Sequence, residues 1–334
     1  MKMTCKIAVA LLFFAALAGG LGKAPKLAPY NVDKALLSVS GLSSGGFFAV
    51  QFHVAFSATI MGAGIVAGGP FFCAQDNLDI ALSACTKSPE LISVDKLIAI
   101  TYTTALGGTI DKPSHLSSDR VYLFSGSLDS IVNPGVMKKL AQYYSSFVTK
   151  GDVYSMFSIP AEHAMVTDNY GHNCSVFSSP FINNCHFPLA YDILNQIYQD
   201  VQPADHSLAN PSNLMEFDQS EFFADLPGAV DMDSTGFIYV PTKCQNKTVV
   251  CRLHAVFHGC RQGRKYVSNE YALHAGYNAV AELNNIILLY PQATNSTYNP
   301  KGCWDWWGYT STAYSSKLGP QIAGVKLMLD RIVY

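Results

Sequence analysis

The sequence predicts an α/β fold, a mostly parallel sheet with helices on both faces. Short apolar runs of strand length recur along the chain, segments of helical character alternate with them, and 25 Gly and 16 Pro among 334 residues suit a loop-rich architecture rather than a helical bundle or coiled coil. Residues 35–40 (ALLSVS) are the first expected strand, running into Gly-rich residues, and residues 47–56 follow with helical character. Strands are expected over 63–68, 120–124 and 153–159, each stopped by Gly, Ser or Pro, with helices over 140–147 and 189–198. Residues 202–233 are rich in Pro, Asp and Asn and read as a long excursion between two groups of strands. Beyond it, 236–240 (GFIYV), 253–257 (LHAVF) and 286–290 (IILLY) read as strands, and 271–283 as a helix. No internal repeat, low-complexity stretch or Gly/Ser linker divides the chain, so residues 19–334 are expected to form a single domain.

Charge narrows the partners. Twenty-two Lys+Arg against 24 Asp+Glu leave a net charge of −2 with no basic block, which speaks against nucleic acid. At 49% hydrophobic and 14% charged, the chain can bury a sizeable core. Residues 1–18 are expected to be a cleaved signal peptide: Lys2 and Lys6 precede an apolar run from Ile7 to Leu17, and Ala16-Leu17-Ala18 supplies a small-residue cleavage pattern. That run, about 11 residues, falls short of the ~20 needed to span a bilayer, so no membrane span is expected and the chain reads as secreted and extracellular.

Cleavage removes Cys5 and leaves Cys73, Cys85, Cys174, Cys185, Cys244, Cys251, Cys260 and Cys303. An even number in an exported chain reads as disulfides. Proximity pairs Cys73 with Cys85, Cys174 with Cys185 and Cys244 with Cys251, leaving Cys260 with Cys303 as the long bridge; this is one of about a hundred possible connectivities. There is no C-x-x-C or H-E-x-x-H and the nine His are scattered, so no metal is expected. Asn246 and Asn295 head N-glycosylation sequons, and Asn173 heads a third beside Cys174.

The sharpest local signal is Gly41-Leu42-Ser43-Ser44-Gly45, a G-x-S-x-G between an expected strand and an expected helix. That context is what a nucleophile elbow requires, because the turn presents the serine hydroxyl at the sheet's C-terminal edge and leaves no room for side chains at the glycines. A serine needs a base, and a histidine oriented by a carboxylate should follow in the order Ser, Asp, His, each on a loop after a strand. Asp129 lies in Gly126-Ser127-Leu128-Asp129 after the strand ending at Phe124, and His163 lies in Pro160-Ala161-Glu162-His163 after the next strand. Asp168 and His172 are the nearest substitutes for these roles.

Acyl transfer also needs donors for the developing oxyanion, one of them the backbone N–H of Ser44. The second normally comes from an H-G loop on a strand upstream of the serine, yet only about two dozen residues of the expected mature chain precede Ser43. The strand at 253–257 runs into His258-Gly259-Cys260, so strands normally found first in the α/β-hydrolase fold stand last here, which implies a circular permutation.

With these residues in view the chain resembles the secreted polyhydroxybutyrate (PHB) depolymerases of the single-domain, circularly permuted α/β-hydrolase type. The likeness rests on GLSSGG from Gly41, AGGPFFCA from Ala67, the G-S-x-D-x-x-V turn at Asp129, the T-D segment after His163, HGCRQ from His258 and GCWDWWGY from Gly302. It implies a triad of Ser43, Asp129 and His163, oxyanion donors at the backbone of Ser44 and Cys260, and a crevice near Trp304, Trp306 and Trp307, without saying which indole faces substrate. No cofactor is implied. A polyester or small ester is the expected substrate; a serine peptidase or other acyl hydrolase and an inactive hydrolase-fold binding protein are the alternatives.

Overall fold

In a computed structural model, residues 23–333 are described; the expected signal peptide lies outside them. The core is an eight-stranded sheet. Its N-terminal half comprises β1 (Val32–Leu42), α1 (Ser44–Ala55), β2 (Ile60–Val66), α2 (Leu78–Leu82), α3 (Val94–Leu106), β3 (Arg120–Phe124), α4 (Pro134–Ser145) and β4 (Asp152–Met156). Three short strands, β5 (Met165–Thr167), β6 (His172–Asn173) and β7 (Ile182–Asn184), form a separate small sheet before α5 (Leu189–Tyr198). The rest comprises β8 (Leu214–Asp218), β9 (Thr235–Tyr239), β10 (Cys251–Phe257), α6 (Arg264–Val267), α7 (Glu270–His274), α8 (Tyr277–Asn284), β11 (Ile286–Tyr290) and α9 (Pro320–Val333).

The order β4-β3-β2-β1-β10-β11-β9-β8 puts six parallel strands in a row and adds an antiparallel β9, with β8 antiparallel to it in turn. Central strands are apolar on both faces, as helices on both sides demand: every residue of β11 is buried, whereas edge strand β4 has no buried residue. Side chains alternate along a strand, so Ser38 and Ser40 of β1 share one face, where they meet Tyr198 of α5 and Tyr277 of α8. Gly41 lies on the other face, against α1. The chain has the α/β-hydrolase fold, and its permutation is explicit in the register: Leu37 pairs with Leu253 and Gly41 with Phe257. The described ends also meet, Tyr30 N–H donating to Ile332 O at 2.7 Å.

Several elements depart from the sequence reading. The expected excursion over 202–233 contains β8, which pairs with β9 and extends the sheet. The single helix expected over 271–283 is two, α7 and α8, because Gly276 turns left-handed at φ +88°. The expected strand over 153–159 leaves the sheet after Met156. Helices α3 and α9 had no counterpart in that reading; α3 buries only Leu97 and Thr101, so its apolar periodicity is weak.

Between β1 and β10 sits a polar cluster with no access to water. His254 places Nδ1 2.6 Å from Ser38 Oγ and Nε2 2.7 Å from Ser40 Oγ, while Tyr198 and Tyr277 hydroxyls complete the two serines at 2.7 and 2.8 Å. Burial pushes the His254 pKa down to about 3, so the ring is neutral. The unfolded chain takes this proton near pH ~6.5 and the folded one does so only near pH 3. The folded state is therefore undisturbed above pH ~6.5 and loses stability as pH falls from there toward 3, by about 1.4 kcal/mol per pH unit for this ring. Urea unfolding at pH 6 and pH 4 should show an acid loss that shrinks by about that slope in His254→Gln; an unchanged slope would contradict the neutral buried imidazole.

Candidate active site

Ser43 stands in the turn between β1 and α1 with φ 58° and ψ −122°, a backbone region that L-residues rarely occupy. The turn is anchored by Ser43 N–H donating to Val66 O at 2.9 Å and Ser43 O accepting from Phe47 N–H. Its flanking glycines are steric necessities: a Cβ on Gly41 would lie 2.2 Å from Gly45 O, and one on Gly45 2.3 Å from Phe257 O. Helix α1 thus presses directly on the end of β10.

Asp129 and His163 occupy the loops after β3 and β4, which are laced together by Ser127 N–H to Ile159 O at 2.8 Å and Leu128 N–H to Ala161 O at 3.2 Å. Asp129 Oδ2 lies 2.8 Å from His163 Nδ1, and its Oδ1 accepts from the N–H groups of Ile131 and Val132 at 2.9 and 2.8 Å. A carboxylate so held orients the ring and keeps the Nδ1–H tautomer, leaving Nε2 as the acceptor. Glu162, not singled out from the sequence, ties the two loops: its Oε2 accepts from Ser130 N–H, Ser130 Oγ and His163 N–H. A carboxylate immediately before the histidine was the available signal.

Ser43 and His163 open on one cavity of about 360 Å³. Ser44, Gly259 and Cys260 line it too, and a Cβ built on Gly259 would lie 3.3 Å from Ser43 Cβ. Neither Ser44 N–H nor Cys260 N–H donates a hydrogen bond to any group among the described residues. The walls are largely apolar, with Leu78, Leu82, Phe47, Ile131, Phe177 and Phe181 among them. Such a site gathers a serine hydroxyl, an imidazole and two unpaired amide N–H groups around one apolar cavity, the groups that acyl transfer requires. Asp168 and His172 are engaged elsewhere: Asp168 Oδ1 is 3.0 Å from His206 Nε2, His172 Nε2 is 2.8 Å from Ser179 O, and neither lines the cavity.

The three tryptophans part company. Trp306 stacks on Phe47 with centroids 4.1 Å apart, meets Trp307 edge-on at 5.7 Å, and both line the cavity. Trp304 does not, which corrects its expected place at the substrate: it is fully buried against Phe48, Phe257 and His258, at centroid distances of 4.5, 5.2 and 5.5 Å. Asp305 between them is structural. Its Oδ1 accepts from Gly308 and Tyr309 N–H at 2.7 and 3.1 Å and its Oδ2 from Thr310 N–H at 2.9 Å, so this buried carboxylate folds the loop that presents Trp306 and Trp307. Burial raises the Asp305 pKa, with the Thr310 hydroxyl and the loop N–H groups opposing the shift.

The cysteines pair as Cys73–Cys85, Cys174–Cys185, Cys244–Cys251 and Cys260–Cys303. The last ties the Gly259-Cys260 loop to the tryptophan loop. Among the described residues no metal-binding cluster of His, Cys, Asp or Glu occurs, and no helix is long and apolar enough to cross a membrane. Asn246 is exposed, with Oδ1 accepting from Thr248 N–H and Oγ1; Asn295 is half-buried and its Oδ1 has no partner among the described residues; Asn173 is exposed in β6.

No family model matches the chain. It is 46% identical to a poly(3-hydroxybutyrate) depolymerase of Delftia acidovorans over 94% of its own length, and it spans 63% of the length of that relative. A polyhydroxybutyrate depolymerase of Talaromyces funiculosus is 32% identical, with 97% of each chain covered. The crystal structure of PHB depolymerase from Penicillium funiculosum superposes with a TM-score of 0.83 at 32% identity, covering 92% of this chain and 98% of that one. A serine-to-alanine variant of a PHB depolymerase, complexed with an R3HB trimer, superposes with a TM-score of 0.84 at 31% identity over the same shares.

The tryptophan assignments make opposite demands on stability and kinetics. Trp304→Ala should cost about 3 to 5 kcal/mol in urea unfolding, because it empties a packed aromatic site. Trp307→Ala should cost less than about 1.5 kcal/mol and raise KM for ester oligomers. Equal destabilisation by the two changes would contradict this division.

Proposed function

The chain belongs to the polyhydroxybutyrate depolymerase family, and on that premise we propose that it is a secreted serine esterase cleaving ester bonds of poly(3-hydroxybutyrate)-like polyesters and short-chain esters, with residues 19–334 as one catalytic domain. One observation carries the reading: a strained Ser43 elbow and the Asp129–His163 pair open on the same apolar cavity. Membership in the family supports the polyester as substrate. Apolar walls suit an aliphatic ester chain. Four disulfides and the pattern of residues 1–18 support export.

In this reading Ser43 Oγ attacks the ester carbonyl while His163 Nε2 takes its proton. Asp129 holds the imidazole and stabilises the imidazolium that forms. Charge building on the carbonyl oxygen is received by the Ser44 and Cys260 N–H groups. His163 then protonates the leaving alkoxide, which departs as an alcohol and leaves an acyl-Ser43 ester. Water, deprotonated by His163, cleaves that ester, releasing the acid and restoring the Ser43 hydroxyl. Trp306 and Trp307 form part of the wall along which the polymer lies.

Hydrolysis of p-nitrophenyl butyrate, hydroxybutyrate oligomers, solid polyester film and a peptide p-nitroanilide tests both chemistry and substrate. The esters should be cleaved and the anilide spared. Ser43→Ala should lower kcat about 10⁴-fold or more and Asp129→Asn by roughly 10³ to 10⁴, with unchanged unfolding curves. Near wild-type turnover in Ser43→Ala, or preferential cleavage of the anilide, would overturn the reading.

A further inference from the structure

In the run from Gly259 to Gln262 three amides are spoken for: Gly259 N–H donates to Gln262 Oε1 at 2.7 Å, Arg261 N–H to Lys301 O at 2.8 Å, and Gln262 N–H to Gly259 O at 3.2 Å. Cys260 N–H donates to no group among the described residues. What aims it is the other end of its own peptide unit. A peptide is planar and trans, so Gly259 C=O and Cys260 N–H point in opposite directions from one plane. Gly259 O lies 2.7 Å from His258 Nδ1.

The partners of His258 settle which nitrogen carries the proton. Nε2 accepts from Ala293 N–H at 3.1 Å, so it is the bare nitrogen, and Nδ1–H donates to Gly259 O. The ring is 1% exposed and packs against Trp304 and Tyr271, and Gly263 leaves the space its Cε1 edge fills, since a Cβ there would come within 2.9 Å of it. Burial pushes its pKa down to about 4, keeping it neutral at the pH where an imidazole base works. Gln262, also 1% exposed, grips the preceding peptide unit: its Nε2 donates to Pro180 O and Phe181 O at 2.9 and 3.0 Å, which leaves Oε1 for Gly259 N–H.

We propose that His258 and Gln262 are positioning residues for ester hydrolysis, holding the two successive peptides that meet at Gly259, His258 the Gly259–Cys260 unit by its carbonyl and Gln262 the unit before it by its N–H, so that Cys260 N–H is turned toward the carbonyl oxygen as it becomes an oxyanion. The inference rests on the esterase reading above and adds to it the two side chains that preorganise its second donor. Neither side chain touches the substrate oxygen. Their effect reaches it through the backbone at Gly259, so it belongs to the transition state and not to substrate binding.

Steady-state kinetics on p-nitrophenyl butyrate, with inhibition by butane boronic acid as a tetrahedral mimic, tests the clamp. His258→Leu and Gln262→Leu should each lower kcat by about 10²-fold, with KM within about twofold, and should weaken the boronate by a comparable factor. His258→Asn should recover to within about tenfold of wild type, because its side-chain N–H stands near the place of Nδ1–H. If His258→Leu fails to fold, Gln262→Leu carries the test, since it leaves the packing of the ring intact. A folded variant with undiminished kcat, a loss confined to KM, or His258→Asn no better than His258→Leu would each overturn the clamp. Ser43→Ala in the same series separates the two claims: activity there removes the esterase reading and the clamp together, whereas an inactive Ser43→Ala beside a fully active Gln262→Leu removes the clamp alone.

Discussion

The approach of Ser43 to Cys260 depends on the parallel pairing of β1 with β10. Ser38 and His254 stand 216 positions apart in sequence and 2.6 Å apart in space, and the register that joins them brings Gly41 opposite Phe257. Two strands in that register end together, so the loops they feed, one carrying Ser43 and the other Cys260, emerge side by side at one edge of the sheet. A slip of one residue would turn every side chain to the wrong face. The buried Ser38-His254-Ser40 bridge guards against such a slip, because a shifted register would leave hydroxyl and imidazole groups unpaired away from water. Pairing so distant in sequence carries a loop-closure cost that grows only slowly with length, which an apolar core surrounding both strands readily offsets.

Histidine is used in two ways within a few residues of the cavity. His254 and His258 are neutral hubs, stripped of water and paired to hydroxyl or backbone groups, and they hold strands and loops in place. His163 instead faces a carboxylate whose other oxygen accepts from Ile131 and Val132 N–H. In the proposed reaction each of these three imidazoles has a neighbour that suits its task. A carboxylate stabilises the charge that a general base acquires, whereas a carbonyl or hydroxyl in a dry interior favours the neutral ring and fixes its tautomer.

The sequence made legible what is local. Gly41, Ser43 and Gly45 announce a turn whose steric limits are visible in the residues themselves, and the apolar runs of β1, β2, β3, β10 and β11 were readable because strands buried on both faces are apolar throughout. The α/β-hydrolase fold and its permutation were legible because His258-Gly259 stands after the wrong strand in chain order. What escaped was tertiary. β8 hid within a polar stretch since an edge strand needs only a partner, and Phe217 and Asp218 are its buried residues. Trp304, Trp306 and Trp307 look alike in sequence, but Asp305 folds their loop so that one indole enters the core and two face the cavity. Glu162 stood beside the histidine in sequence, but its contacts and those of Gln262 were not readable because their partners, Ser130 and Phe181, lie 32 and 81 positions away.

A phosphonate ester that traps the nucleophile as a tetrahedral adduct, followed by a crystal structure of the product, tests the convergence of the two strand ends most directly. Phosphorus should be bonded to Ser43 Oγ, with its phosphoryl oxygen about 2.7 to 3.1 Å from both Ser44 N and Cys260 N. An adduct on another residue, or a phosphoryl oxygen turned away from Cys260 N, would contradict the arrangement on which the catalytic reading stands.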